Sequence, residues 1–441
     1  MAVNPETRGR RIVATGLAQG LGRGVGFLAS LLVFPIVLDS IGKAEFGIWL
    51  TFASLISLLA VFDFGLGSGS VSRLASAYGT ADLQRVEQIV SSMFVVLVVI
   101  GTGMATIGCA VAMLVDWREL IDLPRGLSSG DLAWSIAITI AAVAMSFPLG
   151  LAARVQLAMQ RGYATTPSLL ATAACEIVGA VVVRALSPSL VWFTFAFMTA
   201  LVVGPAGNTI AVLLTGPTYL RPRLVSFRRK VARELMRTGA GFFLLAIAGA
   251  VAYETDAVVI TLVIGPSAAA DYGVGYRLFV LIPLVTSLFL APLWPAYAEA
   301  QATGDPVWMR RTFSTSLRLS VMCAIAGATL LALLQGVIIR SWLGTSISLS
   351  LMLVVALSLL VFVNAYSGPV AAVLNGVGRV RFQVVTALVM VVLNVTLSVA
   401  LASSVGIAGP PLGTVIAQVV AILIPSYWLI YRRVLRDDPR L

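Results

Sequence analysis

Six ionisable side chains interrupt runs that are otherwise almost wholly apolar: Arg23, Asp63, Glu176, Glu254, Asp256 and Arg277. A charge in such a run is costly to bury, so each points to a partner, a water-lined path or a ligand. Arg23 sits deep in the first run, about 16 Å in at the helical rise. There it can grip an anion in bidentate fashion, or pair with an acid on a neighbouring helix. Arg277 is closer to the end of its run and either lines the outer part of a cavity or reaches the headgroups. With Asn208 these two form the expected substrate-binding set. Asp63, Glu254 and Asp256 are candidates for ion coupling or gating; capping a broken helix or pairing with Arg23 is the other use for them. Glu254 and Asp256 stand two apart, so on a helix they point to nearly opposite faces and only one meets a lumen.

Enzyme chemistry has little to work with. The chain has no histidine, and its three cysteines, Cys109, Cys175 and Cys323, all lie inside apolar runs. Neither a disulfide framework nor a metal site follows from that pattern, so no metal and no cofactor is expected, only possible coupling to H+ or Na+. Gly20, Gly22, Gly24 and Gly26 superficially look like a nucleotide loop, but no strand precedes them. Close helix packing through small residues is the simpler reading.

The elements that must position these residues are membrane spans. Charged residues are 11% of the chain, against about 25% in soluble domains. Twelve apolar stretches are each long enough to cross a bilayer. They run approximately 12–38, 46–71, 93–115, 132–153, 167–186, 190–214, 238–264, 273–297, 316–339, 349–374, 384–404 and 409–431. Helices are the expected spanning element, because their backbone groups are satisfied internally. Alternate breaks hold 23 of the 30 basic residues. One side has Arg8, Arg10 and Arg11, then Arg73 and Arg85, Arg154 and Arg161, and seven cations from Arg221 to Arg237. It continues with Arg310, Arg311 and Arg318, Arg379 and Arg381, and Arg432, Arg433, Arg436 and Arg440. The other side has Lys43, Arg118, Arg125 and Arg340. By the positive-inside rule both termini are cytoplasmic, and the protein is multi-pass in the cell (inner) membrane. The net charge of +11 is therefore a topology signal and an attraction to anionic lipid, not a nucleic-acid footprint.

The fold class that follows is an all-α membrane protein with twelve transmembrane helices in two six-helix bundles. Residues 1–215 form the first bundle, 216–237 a basic cytoplasmic linker and 238–441 the second. A short internal repeat agrees with this division. Ile41-Gly42 precedes Glu45-Phe46-Gly47, and Ile264-Gly265 precedes Asp271-Tyr272-Gly273. Repeated halves are a transporter signature. Gly204-Pro205 and Gly368-Pro369 interrupt two spans and are the expected hinges, static kinks being the alternative.

Several segments resemble polysaccharide flippases of the Wzx type. They are Leu38-Asp39-Ser40-Ile41-Gly42-Lys43-Ala44-Glu45-Phe46-Gly47, Asp63-Phe64-Gly65-Leu66-Gly67, Tyr272-Gly273-Val274-Gly275-Tyr276, Asn375-Gly376-Val377-Gly378-Arg379 and Gly406-Ile407-Ala408-Gly409. The likeness covers almost the whole chain in order. It implies the MOP superfamily, with MATE exporters and lipid II flippases, and a V-shaped fold of two bundles around a cavity. The implied substrate is an oligosaccharide linked through pyrophosphate to a polyprenol, moved from inner to outer leaflet by alternating access for O-antigen, capsule or exopolysaccharide export. A polysaccharide polymerase and chain-length proteins are implied partners. The family's more cationic members carry more basic residues in their spans, which makes Arg23 the main candidate for the pyrophosphate. A cation-coupled antiporter of the MATE type is the alternative. A membrane-embedded polymerase or ligase would need a larger outer loop than 116–131.

Overall fold

The computed structural model describes residues 5–120, 123–124, 126–159, 161–290, 293, 297, 300–301, 305–344, 347–377 and 379–430. The C-terminal arginines from Arg432 to Arg440, Arg125 and Trp294 lie outside the described residues. So do the side chains of Arg8, Arg10, Arg11 and Arg23. Among the described residues the chain is helical, and nine helical segments are long and apolar enough to cross a membrane.

Two of those nine, Gly24–Ala60 and Arg381–Leu429, each contain a break at a glycine with positive φ. Gly42 (φ 77°) divides helix α1 (Pro5–Ala60). Gly406 (φ 79°) follows a helix that runs Val380–Val405. A further expected span, 238–264, falls in the helix Arg229–Val263 save for its last residue. The repeat read from the sequence has a backbone cause. Gly42 and its counterpart Gly265 (φ 123°) both occupy the positive-φ region, where a side chain would be strained.

The chain divides into two compact units, Met1–Ala246 and Ile247–Leu441. The first contains α1, α2 (Leu66–Gly79), α3 (Leu83–Leu114), α4 (Ser129–Leu149), α5 (Leu151–Ala158), α6 (Thr166–Leu186) and α7 (Leu190–Thr215). It also takes the N-terminal half of α8 (Arg229–Val263). A core of Leu66, Val86, Met93, Leu97, Phe147, Val155, Val231 and Leu235 joins α2, α3, α4, α5 and α8. Phe34, Phe46, Trp49 and Phe197 form a second, aromatic contact between α1 and α7. Of the glycines in the first run, Gly22 packs against Leu169 of α6.

The stretch 216–237 is not an extended tether. Two short 3-10 turns, Thr218–Leu220 and Leu224–Ser226, are followed at once by α8. Good helix formers from Arg229 onward, with Val231 and Leu235 buried at 2% and 1% exposure, explain why the helix starts that early.

The second unit contains the rest of α8 and α9 (Pro266–Phe279), α10 (Leu281–Leu290), α11 (Pro306–Leu343) and α12 (Leu351–Gly376). α13 (Val380–Val405), α14 (Gly409–Gln418) and α15 (Ile424–Leu429) complete it, with a π-turn, Val419–Leu423, before α15. α13 and α14 pack at very close range. A Cβ on Gly409 would strike the Leu401 carbonyl, and one on Gly413 would lie 2.7 Å from the Ser398 nitrogen.

The glycine–proline pairs expected as hinges lie within continuous helices. α7 runs unbroken through Pro205, and α12 through Pro369. Gly204 meets Thr172 and the Ser168 carbonyl, so its missing side chain lets α6 and α7 approach. Gly368 faces Leu290, 2.8 Å from where its Cβ would stand.

Candidate functional site

Asp256 on α8 is the centre of a polar cluster in the second unit and is 1% exposed. Thr414 of α14 donates its hydroxyl to the carboxylate, 3.0 Å from Oδ1 and 3.1 Å from Oδ2. Ser398 of α13 donates to Oδ1 at 3.4 Å, and the Tyr272 hydroxyl of α9 lies 3.5 Å from Oδ2. Asn394 extends the cluster: its Nδ2 donates to Thr414 at 2.6 Å, and its Oδ1 accepts from Thr255 at 3.1 Å. The Pro410 carbonyl is 3.3 Å from Ser398 Oγ. Three helices thus bring hydroxyls to one carboxylate carried by α8, and the close packing at Gly409 and Gly413 is what brings α14 near enough.

Within that cluster the carboxylate faces neutral groups. Such a charge is offset fully only by a proton or a cation. The assembled donors are hard oxygens: carboxylate, hydroxyl, amide and backbone carbonyl. That set suits an alkali or alkaline-earth ion rather than a soft metal. Glu254, two residues earlier, is half-buried. The alternation read from the sequence therefore separates the two acids, and Asp256 is the enclosed one.

The other expected site residues are spread over both units. Asp63 follows α1 in a short turn, its Oδ1 accepting from the Gly65 N–H at 2.7 Å. Its Oδ2 is 3.1 Å from Arg154 of α5, with the two side chains only 16% and 19% exposed. Phe64, between Asp63 and Gly65 in the chain, holds a positive φ of 54°. Its ring lies 4.8 Å from that of Phe243, tilted by 34°, and Gly65 abuts Gly239; Phe243 and Gly239 are both on α8. Asn208 makes a reciprocal amide pair with Gln156, two bonds of 3.0 Å. Arg277 is half-buried in the last turn of α9. The Arg23 side chain lies outside the described residues; its backbone is part of α1.

Sequence reasoning missed Asn394, Ser398, Thr414 and Gln418, although a signal existed. Asn394 and Ser398 are four apart, as are Thr414 and Gln418, so each pair lies on one helix face within an apolar run. Gln418 reaches Asn364 of α12 at 3.2 Å. Arg154 was read only as a loop cation, not as the partner of Asp63.

A family model described as "Polysaccharide biosynthesis protein" matches residues 12–301. No curated protein matches the sequence. Among solved structures, one titled as the inward-facing conformation of a multidrug resistance MATE family transporter of the MOP superfamily is 15% identical. It aligns with a TM-score of 0.78 over 92% of this chain and 94% of its own. The outward-facing conformation of such a transporter gives 0.67 at 16% identity, over 96% of both chains. A MOP superfamily transporter from Pyrococcus furiosus, described as having a binding pocket of reverse polarity that suggests a different function, gives 0.69 at 14% identity, again over 96% of both chains.

Proposed function

The chain belongs to the polysaccharide biosynthesis protein family, and we propose that it moves polyprenyl-pyrophosphate-linked oligosaccharide from the inner to the outer leaflet of the cell membrane. Family and fold together make it a multi-pass membrane transporter, a flippase for polysaccharide export and not an enzyme. The observation that carries the reading is the family match over 12–301 on a chain with the fold of MOP superfamily transporters.

The physical problem is the polar headgroup. The polyprenyl tail stays in lipid throughout, whereas sugars and pyrophosphate pay heavily to enter hydrocarbon. A site exposed alternately to the two sides of the membrane removes that cost. In our reading Arg23 grips the pyrophosphate, with Arg277 and Asn208 contributing. Asp256 takes up the coupling proton or sodium ion with Ser398 and Thr414, and Asp63 acts as a gate. The convergence of the Tyr272, Ser398 and Thr414 hydroxyls on the buried Asp256 carboxylate supports the coupling part. Both termini face the cytoplasm, and a polymerase with its chain-length proteins receives the product.

Deletion of the gene followed by analysis of lipid-linked intermediates tests the function. Polyprenyl-linked repeat units should accumulate facing the cytoplasm, with loss of surface polysaccharide. Unchanged intermediates together with new drug sensitivity would turn the reading to the MATE-type antiporter.

A further inference from the structure

The stretch between α7 and α8 exposes two large apolar side chains. Leu224 and Val225 form the tip of a 3-10 turn and are 80% and 85% exposed. Its other side is anchored: Leu220 is buried in the first unit's core with Val86 and Met93. The turn is pinned on both flanks. The Arg223 N–H donates to Ser91 Oγ at 3.0 Å, and the Arg228 N–H to Ser92 Oγ at 3.1 Å. Ser226 Oγ adds a bond to Glu87 at 2.8 Å.

The depth of those anchors can be read from α3. Its continuous apolar stretch starts at Met93 and runs to Leu114, about 33 Å at the helical rise and so about one hydrocarbon thickness. Ser91 and Ser92 therefore stand at the edge of the hydrocarbon, and the turn they hold lies at the same level. Around it cations outnumber acids, with Glu87 of α3 on the turn's inner side, 3.8 Å from Arg223. Residues 216–237 contain seven cations and a single acid, Glu234. That acid is engaged with Arg73 and Arg85, both at 2.9 Å. Arg229, Arg233 and Arg237 recur every four residues along α8 and are exposed, as is Lys230. Two apolar tips at the hydrocarbon edge, flanked by exposed cations, match a leaflet of anionic phospholipid.

We propose that the turn Leu224–Ser226 and the first turns of α8 form a lipid-docking surface for anionic phospholipid. Leu224 and Val225 enter the boundary between headgroups and acyl chains. Arg229 and Lys230, exposed on the first turn of α8, hold the phosphates. This holds the N-terminal end of α8, the helix shared by both units, at a fixed depth. The surface is independent of what the protein carries.

The test uses the full-length protein in nanodiscs of phosphatidylcholine with or without phosphatidylglycerol. An environment-sensitive fluorophore is attached at Val225→Cys, with Cys109, Cys175 and Cys323 replaced by Ala. Native mass spectrometry of the unmodified protein counts retained phosphatidylglycerol and needs no variant. Quenching by nitroxide-labelled lipid, stronger with phosphatidylglycerol present, and protection from iodide are expected. Each of Arg229→Gln and Lys230→Gln should weaken phosphatidylglycerol retention about five-fold, or ~1 kcal/mol per cation. Iodide quenching without lipid quenching would overturn the proposal, because the turn would then stand in solvent. Equal lipid quenching with and without phosphatidylglycerol would overturn it too, as would retention unaffected by the two substitutions. None of these readouts depends on flipping, so a wrong cargo and a wrong lipid surface give different results.

Discussion

Asp256 is the one charged residue in the fully buried class among those described, and its surroundings make a specific demand. Asn keeps the size and much of the hydrogen bonding but removes the charge that a cation would answer. Asp256→Asn should therefore leave the protein folded while transport in proteoliposomes stops responding to imposed H+ or Na+ gradients. A gradient response equal to wild type would end the coupling role. Asp63 and Arg154 form a different kind of pair, charged on both sides and mostly enclosed. Arg154→Gln removes the guanidinium from the mostly enclosed Asp63 carboxylate and should cost about 2–3 kcal/mol, somewhat below the usual range for a fully buried pair. The double variant Asp63→Asn/Arg154→Gln should recover part of that loss in thermal unfolding; strict additivity would show that the two are energetically independent. Arg23→Ala should cripple glycan export at near-normal protein level, with Arg23→Lys restoring only part, because an ammonium lacks the two-pronged grip. Normal export by the alanine variant would retire Arg23 from the substrate site.

At the scale of elements, glycine placement decides which helices can share polar groups. α13 and α14 meet at Gly409 and Gly413, where the neighbouring backbone occupies the space a Cβ would need. This contact sets how far Thr414 stands from Asp256. Gly413→Val should push α14 outward, costing about 1–3 kcal/mol through overpacking. It should also impair cation-dependent transport, since Thr414 loses its reach. Normal stability and normal cation dependence in that variant would mean the close approach is dispensable. α8 contributes residues to both units. Its Asp256 lies in the polar cluster, while Val231 and Leu235 are sealed into the first unit's core. Glu234 between those two ties the same end to Arg73 and Arg85.

For the whole molecule, the distribution of basic residues predicts sidedness. Reporter fusions near Ser40, Leu127 and Ser189 should report outside, and those near Tyr78, Arg229 and Asp437 inside. An inside signal at Ser40 would reverse the charge-based topology. The two units, Met1–Ala246 and Ile247–Leu441, divide inside α8 rather than in the basic stretch before it. The first unit thus takes the whole of 216–237 and the start of the following helix.

The helical spans, the broad class and the repeated glycines at 42 and 265 were legible in the sequence, because each depends on local properties. An apolar run of a given length must form its own hydrogen bonds in lipid, and a positive φ needs a residue without a side chain. The residues that assemble around Asp256 were not legible. Ser398 and Thr414 lie 142 and 158 positions away, and Arg154 lies 91 from Asp63. In a soluble helix the apolar stripe would indicate which face turns inward. In a membrane helix lipid is as apolar as protein, so hydropathy is nearly silent about facing. The sequence by itself determined that the chain crosses a membrane in helices and which charges it hides there. Only the tertiary packing of α8, α9, α13 and α14 decided that Asp256 collects the donors, while Asp63 and Asn208 are engaged by Arg154 and Gln156.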